Sequence, residues 1–156
     1  MVFNTSLKGG KDMFVWLENG ELKVAFQKEY APEDAVEIDT LGLTPIPPIE
    51  AFIKVENDRI VKKTQDEVLQ WLKDEKMKML KDYVASLLST TDYIIMKISE
   101  AQIQNDTAEV VALKQKYLAQ LQQRKAIRQW NEQMKQAIQN AQSLNELMSI
   151  IIEFKG

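Results

Sequence analysis

The stretch from Asp106 to Ala141 constrains the chain more than any other. It contains neither Gly nor Pro, and nearly every residue in it is a good helix former. Val110, Leu113, Tyr117, Leu121, Ile127, Trp130, Met134, Ile138 and Ala141 recur every three to four residues, apart from a gap around Arg124. That period places them on one side of an α-helix. A single helix of about 35 residues is about 50 Å long, against a mean of about 11–12 residues for globular helices. Asp106 is a good N-cap, and Glu109 three residues later completes a capping box. A rod of this length cannot bury its stripe alone and needs the rest of the chain, another chain, or both.

A heptad counted from Val110 puts Tyr117, Arg124, Asn131 and Ile138 at one seam position, and Leu113, Gln120, Ile127, Met134 and Ala141 at the other. Asn131 then resembles the polar residue that fixes register in a coiled coil. Arg124 and Gln120 interrupt a simple zipper, and the stripe fits a helix packed within a globular hairpin equally well. The eleven glutamines between Gln102 and Gln142 suit the flanks of either arrangement.

The rest of the chain is 120 residues of mixed character. Met1 to Gly10 reads as a mobile entry or an arm onto a neighbour. From Met13 the period changes to two, with Asn19-Gly20 between alternating runs, a strong signal for a hairpin turn. Val36 and Ile38 form a candidate short strand in an acidic stretch. Pro45, Pro47 and Pro48 imply an extended connection. Glu56-Asn57-Asp58-Arg59-Ile60 echoes Glu18-Asn19-Gly20-Glu21-Leu22, which points to a second small hairpin. Thr64 with Glu67 opens a helix that runs to about Ser89. In it, Lys73, Asp74, Glu75, Lys76 and Lys78 read as a solvated face. Tyr93 to Ile98 fits a strand or a helix start. Ser143 with Glu146 caps a short helix before a β-branched tail, Ile150 to Phe154.

The totals narrow the function. There is no His and no Cys, which removes the commonest acid–base group, the disulfide framework and the thiolate zinc site. A net charge of −3 with both signs mixed along the chain argues against nucleic acid or an anionic membrane as the main partner. No apolar run approaches the roughly 20 residues that span a bilayer, and the N-terminus does not resemble a signal peptide. No P-loop, GxSxG or GxGxxG pattern is present. The expectation is a non-enzyme with no cofactor, metal or catalytic residues. Trp130 and Trp71 stand out either as aromatic contact anchors or as core residues. Ile127, Met134 and Tyr117 are their apolar company on the long stretch, and Arg124-Lys125 with Arg128 forms its compact basic patch, read as solvated or as a contact to phosphate or an acidic partner face.

Leu87-Leu88-Ser89-Thr90-Thr91-Asp92-Tyr93, followed by Lys97 and Glu100, resembles a segment of tail, tail-fibre and tail-assembly proteins of tailed bacteriophages. In those proteins a helix ends in Leu-Leu, then Thr-Asp and an aromatic residue, and a later helix carries an Arg-x-x-x-Arg pair, matched here by Arg124 and Arg128. The Val55–Val61 hairpin and the Ser-Leu-Asn-Glu-Leu run to Leu147 are similar too, so the resemblance covers roughly Phe52 to Ile152. It implies an assembly context and transfers no active-site residue.

These readings converge on an α+β protein. A small N-terminal β-hairpin lobe with its Pro-rich connector (1–50) precedes a hairpin and helical segment (51–156), dominated by one helix of about 35 residues over 106–141. The function implied is a structural component of a tail fibre or baseplate, or an assembly factor for one, located in the virion or in the host cytoplasm during assembly. Its partners are expected to be other tail proteins or copies of itself. The alternative is a small phage or bacterial protein that binds and inhibits a host enzyme through the two Trp anchors.

Overall fold

The computed structural model describes residues 12–156. The N-terminal arm expected of Met1 to Gly10 lies outside the described residues. The chain divides into two compact units, one through Leu72 and one from Lys73.

The first unit is built on two tight hairpins. Strands β1 (Met13–Glu18) and β2 (Glu21–Ala25) pair antiparallel from Phe14 opposite Ala25 to Glu18 opposite Glu21. Asn19 and Gly20 supply the two positive φ values, 52° and 80°, that a right-twisted two-residue turn requires. Strand β3 (Val36–Ile38) adds to the free edge of β1, with Met13 opposite Ile38, so the order is β2–β1–β3. Strands β4 (Ile53–Glu56) and β5 (Arg59–Lys62) form a second sheet, in which Asn57 and Asp58 adopt φ of 52° and 55°. The sequence echo between the hairpins is therefore an echo of turn geometry. The Pro-rich segment between β3 and β4 is irregular and ends in a single 3-10 turn, Ile49–Ala51.

Met13, Val15, Ile38, Leu43, Ala51, Phe52, Ile53 and Val68 form the core of this unit, with Trp71 and Leu72 packed against it. The last three of these residues lie on the first turns of helix α1 (Gln65–Ser89), at 25 residues the longest in the structure. Its start is the anticipated capping box: the Glu67 N–H donates to Thr64 Oγ1 and the Thr64 N–H donates to Glu67 Oε1, both at 3.2 Å. Lys54 Nζ lies 3.3 Å from the same Glu67 carboxylate and 3.3 Å from Glu56.

The second unit is helical. Helix α1 continues to Ser89, and α2 (Asp92–Ile103), α3 (Thr107–Lys116), α4 (Leu118–Asn140) and α5 (Leu144–Ser149) follow. Between α2 and α3, Asn105 takes φ of 55°, the Asp106 N–H donates to Ala101 O, and the Asn105 N–H donates to Gln102 O. This pair of bonds is a Schellman stop. Asp106 then caps α3 by accepting from the Glu109 N–H at 3.0 Å, so two adjacent residues end one helix and begin the next. Ile94, Ile98 and Ala101 of α2 pack on Leu113 of α3 and on Tyr117.

The single helix expected over 106–141 is not observed. It is broken at Tyr117 (φ −109°, ψ 22°) into α3 of 10 residues and α4 of 23. No Gly or Pro causes the break, and backbone bonds from the Tyr117 N–H to Leu113 O and from the Leu121 N–H to Tyr117 O bridge it. The packing partner changes just beyond it. Val110, Leu113, Tyr117 and, one turn past the break, Leu121 lie against α2, whereas Arg124 and Trp130 reach α1. One straight rod cannot follow both partners around the corner at Ser89–Thr91, so it bends where it passes from one to the other. The stripe is covered within the chain: Leu113, Tyr117, Arg124, Ile127, Ile138 and Ala141 are all buried.

The Thr64 N–H and the Lys54 ammonium hold the Glu67 carboxyl below its ordinary 4.5. A lowered carboxylate pKa contributes stability that is present above the unfolded value and lost as pH falls through the folded one. Acid titration of stability, followed by circular dichroism, is therefore expected to show a smaller loss below the ordinary Glu pKa in Glu67→Gln than in the parent.

Candidate functional site

The last turn of a helix leaves four carbonyls without intrahelical partners, and the helix dipole makes that end negative. At the C-terminus of α1 no glycine supplies a left-handed cap. Three consecutive hydroxyls do the work instead: Ser89 Oγ donates to Ser86 O at 2.8 Å, Thr90 Oγ1 to Leu87 O at 2.9 Å, and Thr91 Oγ1 to Leu88 O at 3.3 Å. Arg124 of α4 completes the cap. One of its terminal nitrogens donates to Leu88 O at 2.7 Å and to Thr91 Oγ1 at 2.9 Å, and lies 2.9 Å from Asp92 Oδ1. Arg124 is 7% exposed, while the Asp92 side chain is 57% exposed. The guanidinium is thus a buried donor whose charge is balanced at the wet edge of the corner.

Two lysines of α1 act in the same way on other helix ends. Lys73 Nζ donates to Gln139 O at 2.9 Å, at the end of α4, and Lys76 Nζ donates to Leu147 O at 2.7 Å, near the end of α5. Burial pushes the Lys76 ammonium below its ordinary pKa. The reading of Lys73 and Lys76 as part of a solvated face is corrected here: both are half-buried and bonded. Partners that rise along α4 as they fall along α1 (Leu88 with Arg124, Tyr83 with Trp130, Lys73 with Gln139) show that the two helices run antiparallel.

Midway along this pair, Trp130 stacks edge-on between Tyr83, at 5.9 Å between ring centroids, and Phe154, at 5.6 Å. The Phe154 N–H donates to Tyr83 Oη at 3.2 Å, which docks the C-terminal tail on the helices. Tyr117 meets Tyr93 edge-on at 5.8 Å.

The contact candidates thus divide. Arg124, Ile127 and Tyr117 are buried and Trp130 and Met134 are half-buried, all within the helical unit, while Arg128 is exposed. Trp71 belongs to the first unit, half-buried against its core, with Lys63 Nζ 5.8 Å from its ring centroid. Arg124, read from the sequence as a flaw in the seam, is the residue around which the corner closes. Its partners are more than thirty positions away in the chain, so no local pattern marks them. The described residues contain no group of three or more His, Cys, Asp or Glu placed to hold a metal ion. No described helix is long and apolar enough to cross a membrane. The chain matches no family model, no curated protein and no solved structure.

Removing the guanidinium takes the charged donor from the corner and leaves the Leu88 carbonyl with only the N–H and hydroxyl of Thr91. Arg124→Met, which keeps the apolar stem, is expected to cost about 1.5–3 kcal/mol, the worth of hydrogen bonds to a charged group. Arg124→Lys should lose less, since an ammonium can reach one acceptor but lacks the planar fork. Urea denaturation of the two variants against the parent measures both values. Phe154→Ala, read the same way, should cost about 2 kcal/mol through the lost ring contacts.

Proposed function

We propose that the chain is a non-enzymatic, tail-associated protein of tailed bacteriophages. In this reading it is a structural component of a fibre or baseplate, or an assembly factor for one, and it acts through helix-mediated protein contacts in the virion or in the host cytoplasm during assembly. One observation carries the reading. The residues on which the resemblance to tail proteins rests, Leu88, Thr91 and Asp92 on one side and Arg124 on the other, meet in a single hydrogen-bonded clasp. A motif split across more than thirty residues that closes on itself in space behaves as one structural unit. Such a unit explains why these residue types would occur together.

The alternative, an inhibitor of a host enzyme, rests on the acidic pI of about 5.2, the small size, and Trp71 and Trp130 as contact anchors. Trp71 packs against the core of its own unit and Trp130 lies between Tyr83 and Phe154. Both rings are half-buried in contacts within their own units, which favours the assembly reading.

Mass spectrometry of purified tail particles, and of unassembled fibre intermediates, from cells carrying the gene tests the proposal. Peptides of the chain in finished particles identify a structural component. Peptides only in complexes with unassembled tail proteins identify an assembly factor. Absence from both overturns the reading.

A further inference from the structure

Beside the buried seam of the α1–α4 pair lies an open groove of about 450 Å³. Its floor is apolar: Met77, Leu80 and Val84 of α1 line it. Its banks are cationic on both helices, with Lys78 and Lys81 from α1 and Lys135 from α4. Arg128 shares the face of α4 that carries Asn131 and Lys135, at spacings of three and seven residues. Lys135 is shared with Glu132 at 2.9 Å, whereas Lys78, Lys81 and Arg128 form no ion pair among the described residues. A chain of net charge −3 therefore lines this groove with three cations, and Arg128 lies on the same face of α4. Asn131, half-buried, also lines the groove, and its Oδ1 has no hydrogen-bond partner among the described residues.

We propose that this groove is the docking site for an acidic amphipathic helix of a partner protein. Half-buried Met77 and the aliphatic stems of the flanking lysines take apolar side chains at helical spacing, i and i+4, in the manner of helix-in-groove recognition. Carboxylates on both flanks of the incoming helix meet the lysines on both banks. The groove has no aromatic ring among its lining residues, so it lacks the stacking platform that single-stranded nucleic acid uses. Its cations flank an apolar floor rather than forming a continuous phosphate track. The inference rests on the protein-contact part of the proposed function and not on the tail assignment, which the particle measurement tests separately.

The test uses the full chain, isotopically labelled for NMR, and two synthetic helical peptides with identical apolar positions. One is flanked by glutamates, the other by lysines. The glutamate peptide is expected to bind and to perturb resonances at Met77–Val84 and Arg128–Lys135, with an affinity that falls as salt is raised. The lysine peptide should leave the spectrum unchanged. K78E/K81E should weaken the glutamate peptide at least about tenfold, with an unchanged melting temperature because both lysines are exposed. Salt dependence in the parent protein reads the same chemistry without any substitution. The proposal is overturned if the glutamate peptide causes no perturbation at about 1 mM. Equal binding of the lysine peptide, or perturbations that map away from the groove, would overturn it too.

Discussion

The helical unit depends on how an antiparallel pair of helices finishes its ends. Side by side, α1 and α4 place the C-terminus of each near the body of the other, and each end presents carbonyls that water or a cation must satisfy. Arg124 of α4 bonds the last turn of α1 at Leu88, and Lys73 of α1 bonds the last turn of α4 at Gln139. The arrangement is reciprocal, and it fixes register, because a slip by one turn would pull both cations away from their carbonyls at once. The apolar seam supplies most of the free energy through buried Leu80, Val84, Ile127 and Ile138. Hydrophobic contact alone is tolerant of sliding, whereas the clasps are not.

The same constraint accounts for the bend at Tyr117. Once Arg124 is tied to the corner at Leu88–Thr91, the residues before it must follow α2 rather than α1, and the Tyr117–Tyr93 contact marks the change of partner. The corner itself is stiffened from within by the hydroxyls of Ser89, Thr90 and Thr91. Three side chains with little bulk close the helix end locally, and one long side chain from a distant helix locks the result.

What could be read from the sequence was local. Asn19-Gly20 and Asn57-Asp58 announced their turns because positive φ is costly for most residues. Thr64 with Glu67 and Asp106 with Glu109 announced helix starts through bonds made within one turn. At Ser143 half of the box formed as expected: the Glu146 N–H donates to Ser143 Oγ, but the Glu146 carboxylate accepts from the Gln142 N–H. The break at Tyr117 was invisible because every residue around it favours a helix and the backbone bonds persist across it. The roles of Arg124, Lys73 and Lys76 were hidden for a different reason. A charged residue bonded to a helix end far along the chain has the same sequence signature as one in water. Hence the candidate site was only partly legible, with the correct residue types at Thr91, Asp92 and Arg124 but no indication that they touch.

The central claim is that Arg124 and the corner residues act as one unit, and a double-mutant cycle measures that coupling without assigning an energy to either residue alone. Arg124→Met and Thr91→Val, singly and together, would be compared by urea denaturation at constant pH and salt. A shared clasp predicts that the double variant loses less than the sum of the singles, by about 1–2 kcal/mol. Additive losses, within about 0.3–0.5 kcal/mol, would contradict it and would mean that Arg124 contributes as an isolated side chain.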